Sequence, residues 1–403
     1  MKSSVCSFTP PPRWLQYGYT TLFATLPWSV DIEMGTWNLG LPSEPIIGGV
    51  ALGLAVYLWG QKPAFWGLFR QNIFLQISAI YLVLVIISAY FSTLPLVSAK
   101  FCLVEVAHWW VFALGVSIWP TGWQKAFPFF MYSLLGVAIY TLTQHALLGF
   151  RADQALLAPM PFFSDHTIWA AALSMVIFLP RTYRSQKPWL WWGGFVVFVW
   201  ALVLSTARAA WLSVVVTGFW AIFQGLRPLR KWVFVGFLLL LLGSGTAWLR
   251  ENWQPDVSAQ ERINRWSCSL RMAQARPLWG FGPGTFRFQY LGFQRPEDMT
   301  RISLSAPIER RGPEHYGRGG GAHSEYLRVL AESGWVAAAC WLFLVAVVLF
   351  RGHRNYAQNG AFLLALCTFL AHGWVNEFLH DGKMACLVWG SMAMIFATKT
   401  RRE

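Results

Sequence analysis

The sequence predicts an all-α polytopic membrane protein of about twelve transmembrane helices, with a large, partly helical loop between late spans. Three observations predict it. Hydrophobic residues make up 56% of the 403 and charged residues only 12%, against about 25% charged in soluble chains. The apolar residues fall in long runs broken by short polar punctuation, as bilayer-crossing helices require. Tryptophan is abundant, and Trp189, Trp191 and Trp192 stand near the end of an apolar run, where amphipathic rings favour the headgroup zone.

The expected span cores are 14–30, 45–60, 72–92, 101–118, 126–148, 167–180, 189–206, 210–224, 232–248, 329–350, 360–379 and 384–398. Nothing at the N-terminus reads as a cleavable signal peptide, so the first run is expected to be a retained span. Lysine and arginine set the orientation. Sixteen fall on one side of this alternation, from Lys2 and Arg13 through Arg181, Arg184 and Lys187 to Lys399, Arg401 and Arg402. The other side's short connections hold four: Lys100, Arg151, Arg208 and Lys383. Both termini are therefore expected in the cytoplasm. The chain divides into a bundle over 1–248, an outward loop over 249–322 and a second bundle over 323–403. The formal net charge of +14 would favour nucleic acid in a soluble domain, but the remaining twelve arginines lie in or beside the outward loop, which makes nucleic acid a poor partner. No CxxC pair occurs among the six cysteines, so neither a disulfide framework nor a zinc site is expected.

Three outward places carry candidate chemistry. Ser205-Thr206-Ala207-Arg208-Ala209-Ala210 interrupts the apolar stretch 189–224, which is too short for two full crossings of about 20 residues each. The turn must dip toward the hydrocarbon and carry Arg208 with it. A guanidinium there offers forked donors to a diphosphate, or it snorkels to lipid phosphates. Residues 261–272 read as an amphipathic surface helix with Arg262 and Arg265 on one face at three-residue spacing. They form an electropositive site for a diphosphate, or touch anionic membrane lipids generally. His323 follows Gly319-Gly320-Gly321-Ala322 at a helix start. A helix N-terminus favours neutral imidazole, the form able to act as a base; the alternative is a capping histidine.

Between them, Pro277-Leu278-Trp279-Gly280-Phe281-Gly282-Pro283-Gly284 reads as a turn-rich piece allowing close backbone approach. Asp165 is an expected N-cap. Glu105 and His108 lie one turn apart in a span, as a structural pair. His372, Asn376 and Glu377 are expected along one late helix, as a buried network or a proton path. Outward acidic residues lack the spacing of a metal-diphosphate site, so no metal and no other cofactor is expected.

These landmarks, in order, resemble the O-antigen ligase and polymerase superfamily: Ser-Thr-Ala-Arg208-Ala-Ala-Trp; Arg262-x-x-x-Trp266 followed by Arg276-Pro-Leu-Trp-Gly-Phe-Gly-Pro-Gly284; Ala-His323-Ser-Glu-Tyr-Leu; and Ala331-Glu-Ser-Gly334. Pro42-Ser43-Glu44-Pro45 and Ser164-Asp165-His166-Thr167 resemble its Bacteroidetes-type members. The resemblance implies a GT-C-like glycosyltransferase of the bacterial inner membrane with a periplasmic catalytic loop. The implied donor is an undecaprenyl-diphosphate-linked glycan, and the implied acceptor is lipid A–core or another glycan. Carried over by motif, Arg208 and Arg262 bind the diphosphate, Arg265 stands beside them as a further donor-site residue, and His323 is the catalytic histidine. Ser324 departs from the Asn common after the histidine, which bears on acceptor contacts. An O-antigen ligase fits the span count and late loop. An O-antigen polymerase or a protein O-oligosaccharyltransferase would use the same donor. A transporter or flippase using Glu105, His372 and Glu377 is the reading from another class.

Overall fold

The structure is a computed structural model that describes residues 8–34, 37–179, 188–225, 257–299 and 320–397. The expected span 232–248 lies outside the described residues. So do several loop arginines (Arg250, Arg301, Arg310, Arg311 and Arg318) and several orientation-setting cations, including Arg181, Arg184, Lys187, Arg227, Arg230 and Lys231.

A helix stands at each remaining expected span. They are α1 (Arg13–Thr25), α2 (Ser43–Trp59), α4 (Ile73–Tyr90), α5 (Pro95–Ile118), α6 (Pro120–Leu147), α7 (His166–Val176), α8 (Pro188–Leu204), α9 (Arg208–Gly225), α11 (Glu325–Arg354), α12 (Tyr356–His372) and α13 (Gly382–Ala397). A short helix α3 (Lys62–Gln71) turns 102° from α2. Helix α10 (Val257–Ala275) lies in the loop. Among the described residues, four helices are long and apolar enough to cross a membrane, or five if α2 and α3 form one broken span. The exterior explains why these helices need lipid. Leu52, Val56, Leu103, Val196, Leu212 and Phe343 are each more than half exposed on helix flanks, a belt that water would penalise. Trp59 and Trp66 are exposed at one end of the bundle, Trp335 and Trp374 at the other, matching interfacial anchoring. This is a membrane protein.

The chain is not wholly helical. Val30–Met34 and Trp37–Leu41 form an antiparallel two-stranded hairpin, β1–β2. The alternation Val-Asp-Ile-Glu-Met is the period-2 signal for it, lost in a reading tuned to apolar runs.

The connections at 91–94, 148–165, 205–207, 257–299, 320–334 and 373–381 gather at one end. Thr93 N–H donates to Phe281 O at 3.0 Å, and Glu325 N–H donates to Gly373 O at 2.8 Å. Helix α9 runs antiparallel to α12, since Trp220 late in α9 meets Tyr356 at the start of α12.

Helix α11 is broken at Gly334, where φ is +79° and ψ 178°, a conformation essentially confined to glycine. The break exposes backbone groups that the turn-rich piece satisfies. Trp335 N–H donates to Pro277 O at 2.8 Å, and the N–H groups of Phe281 and Gly282 donate to Ala331 O at 3.2 Å and Glu332 O at 2.8 Å. A Cβ on Gly334 would lie 2.2 Å from Leu278 O. The span proper is therefore Trp335–Arg354, about 20 residues and about 30 Å. Its first turns, Glu325–Ser333, belong to the loop side.

Candidate functional site

Helix α10 organises the loop. Glu261, Asn264, Arg265, Cys268, Ser269 and Met272 are buried, the spacing of one helix face. Arg265 lies on that inner face. Its Nε donates to Glu261 Oε1 at 3.0 Å, its Nη1 donates to Gly321 O at 2.9 Å, and its guanidinium stands 5.0 Å over the Tyr290 ring. Arg262 is half-buried on the neighbouring shoulder, with Nη1 donating to Ser258 Oγ at 3.0 Å. Trp266, one turn further on, donates from Nε1 to His323 O at 2.9 Å. The helix expected over 261–272 is present, but its two arginines divide. Arg265 braces the glycine hinge, while Arg262 and Trp266 face His323. The Arg-x-x-x-Trp pattern thus places a guanidinium and a backbone clamp on one side of the histidine.

The hinge before His323 requires glycine. A Cβ on Gly321 would fall 1.3 Å from Glu377 Oε1. That carboxylate lies so close because its other oxygen accepts the Ala322 N–H at 2.9 Å. Burial pushes Glu377 up to about 8, against the lowering effect of Arg328. His323 then takes the left-handed conformation, with φ +51°. Ser324 follows as the N-cap of α11, fully buried, its Oγ accepting the Leu327 N–H at 3.5 Å. The Ser-for-Asn departure is therefore occupied with capping.

His323 is half-buried, and the Asn376 side chain lies close enough to favour its protonated form. Burial lowers its pKa to about 4, and Arg265 and Arg262 push the same way, while Asn376 and Asp165 oppose them. The ring is thus neutral at ordinary pH. Asn376 Nδ2 also meets His372 Nε2 at 3.0 Å. The expectation that His372, Asn376 and Glu377 line one helix is corrected. α12 stops at His372, and Asn376 and Glu377 sit in the connection folded over the hinge, because their polar groups are needed there. Asp165 caps α7 as expected, its Oδ1 accepting the Thr167 N–H at 2.6 Å. Hydrogen bonds from His166 and Thr167 outweigh burial and hold its pKa at about 2.

Arg208 is the first residue of α9 and is exposed. The preceding Thr206 has a positive φ of 57°. The antiparallel course of α9 and α12 puts Arg208 at the same end as His372, but the charges acting on His323 are those of Arg265, Arg262 and Asp165.

Beneath this site runs a buried strut. Arg328 pairs with Glu325 and, at 3.3 Å, with Glu332. Glu325 Oε2 accepts from Phe378 N at 3.0 Å and Leu379 N at 3.2 Å, and Glu332 Oε1 accepts from Phe286 N at 2.9 Å. Sequence reasoning missed this network and the roles of Trp266 and Asn376. The i, i+3, i+7 order Glu325, Arg328, Glu332 was the available signal. Glu105 and His108 do not pair with each other. Tyr81 Oη donates to Glu105 Oε1 at 3.4 Å, and His108 points elsewhere, toward Gly382.

Residues 193–342 match the family model described as O-antigen ligase. The matched segment contains Arg208, Arg262, Arg265 and His323, and also the glycine hinge, Arg328 with its two glutamates and the Gly334 break. The match supports the O-antigen ligase superfamily for this part of the chain. That family points to a glycosyltransferase-like enzyme of O-antigen or glycan assembly, acting between a glycan donor and a lipid acceptor. Among curated proteins, none matches the chain.

Proposed function

We propose that the protein transfers a glycan from undecaprenyl diphosphate to lipid A–core, as an O-antigen ligase, without a metal ion. The observation that carries this reading is a neutral, oriented His323 beside the Arg262 guanidinium, with Arg208 at the same end of the bundle. A base needs a free lone pair, and a leaving diphosphate needs fixed positive charge.

In this reading the acceptor hydroxyl oxygen attacks the anomeric carbon of the donor sugar. The new C–O bond forms as the bond to the diphosphate breaks, and the diphosphate leaves with that electron pair. The hydroxyl proton passes to His323. Asn376 holds the ring, Trp266 fixes its backbone, and Arg262 with Arg208 binds the departing charge. Arg265, committed to Glu261 and Gly321, contributes field and position. The site would face the periplasm from the inner membrane, with twelve spans, both termini in the cytoplasm, bundles over 1–248 and 323–403, and the catalytic loop over 249–322. The transporter reading is weakened because Glu105 is tied to Tyr81 and Glu377 to the hinge.

The test is transfer by purified protein from an undecaprenyl-diphosphate-linked glycan with chelator present. His323→Ala and Arg208→Ala should fold and lose transfer; full activity in both overturns the site. Deletion in the native cell then separates ligase from polymerase. Loss of long glycan on lipid A–core with lipid-linked polymer accumulating marks a ligase. Core bearing a single repeat marks a polymerase.

A further inference from the structure

A second polar recess opens beside the hinge, outside the machinery just described. The β1–β2 hairpin, the start of α2, the middle of α5 and the start of α13 enclose it, with about 340 Å³ of free space including its mouth. Most of that space is the open mouth; the enclosed part is about 40 Å³, which takes the edge of a ring and not a whole ligand. Asp31, Glu44 and Asp381 supply carboxylates, Ser43 a hydroxyl, His108 an imidazole and Lys383 an ammonium.

Two of these side chains point to a ligand. Lys383 is only 5% exposed, yet its Nζ makes no hydrogen bond or ion pair among the described residues; its neighbour is the Phe163 ring, 4.8 Å away. His108 is 4% exposed, and its imidazole also has no hydrogen-bond partner among the described residues. The His108 Nε2 looks onto Gly382 at the recess wall, 3.4 Å from where a Cβ would stand. Buried polar groups normally have partners, and here the recess is what remains to supply them. No described cluster of three or more His, Cys, Asp or Glu has the arrangement to hold a metal ion. Three carboxylates against one ammonium disfavour a phosphate. Closely mixed donors and acceptors on stiff elements suit a neutral, hydroxyl-bearing ring.

The position is also informative. The connection 373–381 carries Asn376 and Glu377 at the His323 hinge and Asp381 at the recess. Asp381 lies four positions after Glu377, at most about 15 Å of chain. On the other flank Phe163, which faces Lys383, stands two residues before Asp165, which faces His323. The cationic side of His323 and this acidic recess thus lie on either side of one connection.

We propose that the recess holding Lys383, His108 and Asp31 binds an uncharged, hydroxyl-rich sugar of the acceptor, leaving the arginine side to the donor diphosphate. The assignment of acceptor rests on the transferase reading; the sugar-binding claim does not. Lys383→Met tests it first. Asp31→Asn tests it again from the exposed hairpin, where no bundle packing is at stake. Losing a hydrogen bond from a charged group should raise the acceptor KM about tenfold, with the donor KM held within about twofold. Saturation-transfer NMR of the full-length protein in nanodiscs, with a neutral oligosaccharide as probe and a sugar phosphate as control, reads binding without turnover. Wild type should bind the neutral sugar and both variants should lose it, while any sugar-phosphate signal from the arginine side should survive in both. A wild type that transfers glycan while both variants keep the acceptor KM and the neutral-sugar signal overturns the recess and leaves the enzyme intact. Neutral-sugar binding lost in the variants, with no transfer by wild type, keeps the recess and overturns the enzyme. A sugar-phosphate signal lost in both variants overturns the proposed ligand class.

Discussion

The first turns of α11 and the hinge just before them handle charge in opposite ways. In the strut, Arg328 is enclosed and both ends of its fork meet carboxylates, which in turn hold backbone N–H groups of the 378–379 and 286 segments. At the hinge, guanidinium charge stands beside an imidazole kept neutral. A closed set of charges fixes loop segments against the broken helix. At the hinge, Arg265 is held by Glu261, and the field it shares with Arg262 falls on an uncharged ring. The contrast teaches that arginine count in this loop says little. Arg328 and Arg265 act as braces because buried carboxylates hold them.

The largest effect should come from the hinge. His323→Ala should lower kcat by about 10²–10⁴-fold, the usual worth of a general base, with the melting temperature of the purified protein nearly unmoved. Arg328→Ala should do the reverse. Leaving Glu325 and Glu332 buried without their cation should cost about 3–5 kcal/mol, read as lost yield and early thermal unfolding. If His323→Ala unfolds the protein, or Arg328→Ala leaves it stable, the division between site and strut is wrong.

Gly334→Ala tests the geometry joining the two regions. The new Cβ would strike Leu278 O in a conformation alanine avoids. The strain should be about 1–3 kcal/mol, with the 277–282 segment loosened in hydrogen exchange. Unchanged protection there would mean that the break does not anchor the loop.

Much of this was legible in the sequence, for identifiable reasons. Apolar runs marked the described span helices, with ends off by up to about seven residues, because lipid-facing length is set by the bilayer. Arg262, Arg265 and His323 stand out in the sequence through helical spacing and a glycine run, and the structure brings them near one another. Their division of labour was not legible. Arg265 turns inward because Glu261 lies one turn before it, and that acid looked like one more surface charge. Asn376 was missed as a histidine partner because 360–379 read as one continuous span. Only the long-range contacts of Glu325 with Phe378 and Leu379 show where α12 must stop and the chain fold back. The β1–β2 hairpin was overlooked although its alternation was visible.

A smaller effect belongs to Asn376. If it orients the His323 ring, Asn376→Ala should reduce kcat by about tenfold, the worth of one hydrogen bond to a catalytic group, while donor KM holds. Asn376→Asp should recover part of the rate, since its carboxylate can still accept from the ring. No loss in the alanine variant would make Asn376 a partner of His372 alone.

The smallest change, and the most specific, is in the acid limb of the pH profile. His323 is lowered from its ordinary value to about 4, first by burial and then by Arg265 and Arg262, against Asn376 and Asp165. The neutral base therefore persists as pH falls through 6.5, and activity in free enzyme should fall only as pH approaches about 4. Folding shows the same sign. The unfolded imidazole takes up its proton first, so the depressed group's contribution is present above its unfolded pKa of about 6.5 and is lost as pH falls toward the folded value. Arg262→Gln removes one of the two cations and should move the limb upward by less than about one unit, because burial remains the larger cause. Asn376→Leu removes an opposing effect and should move it downward. Opposite displacements measured on kcat/KM would tie the titration to His323. A limb that stays put in both variants would assign it to another group and return Arg262 to the class of braces.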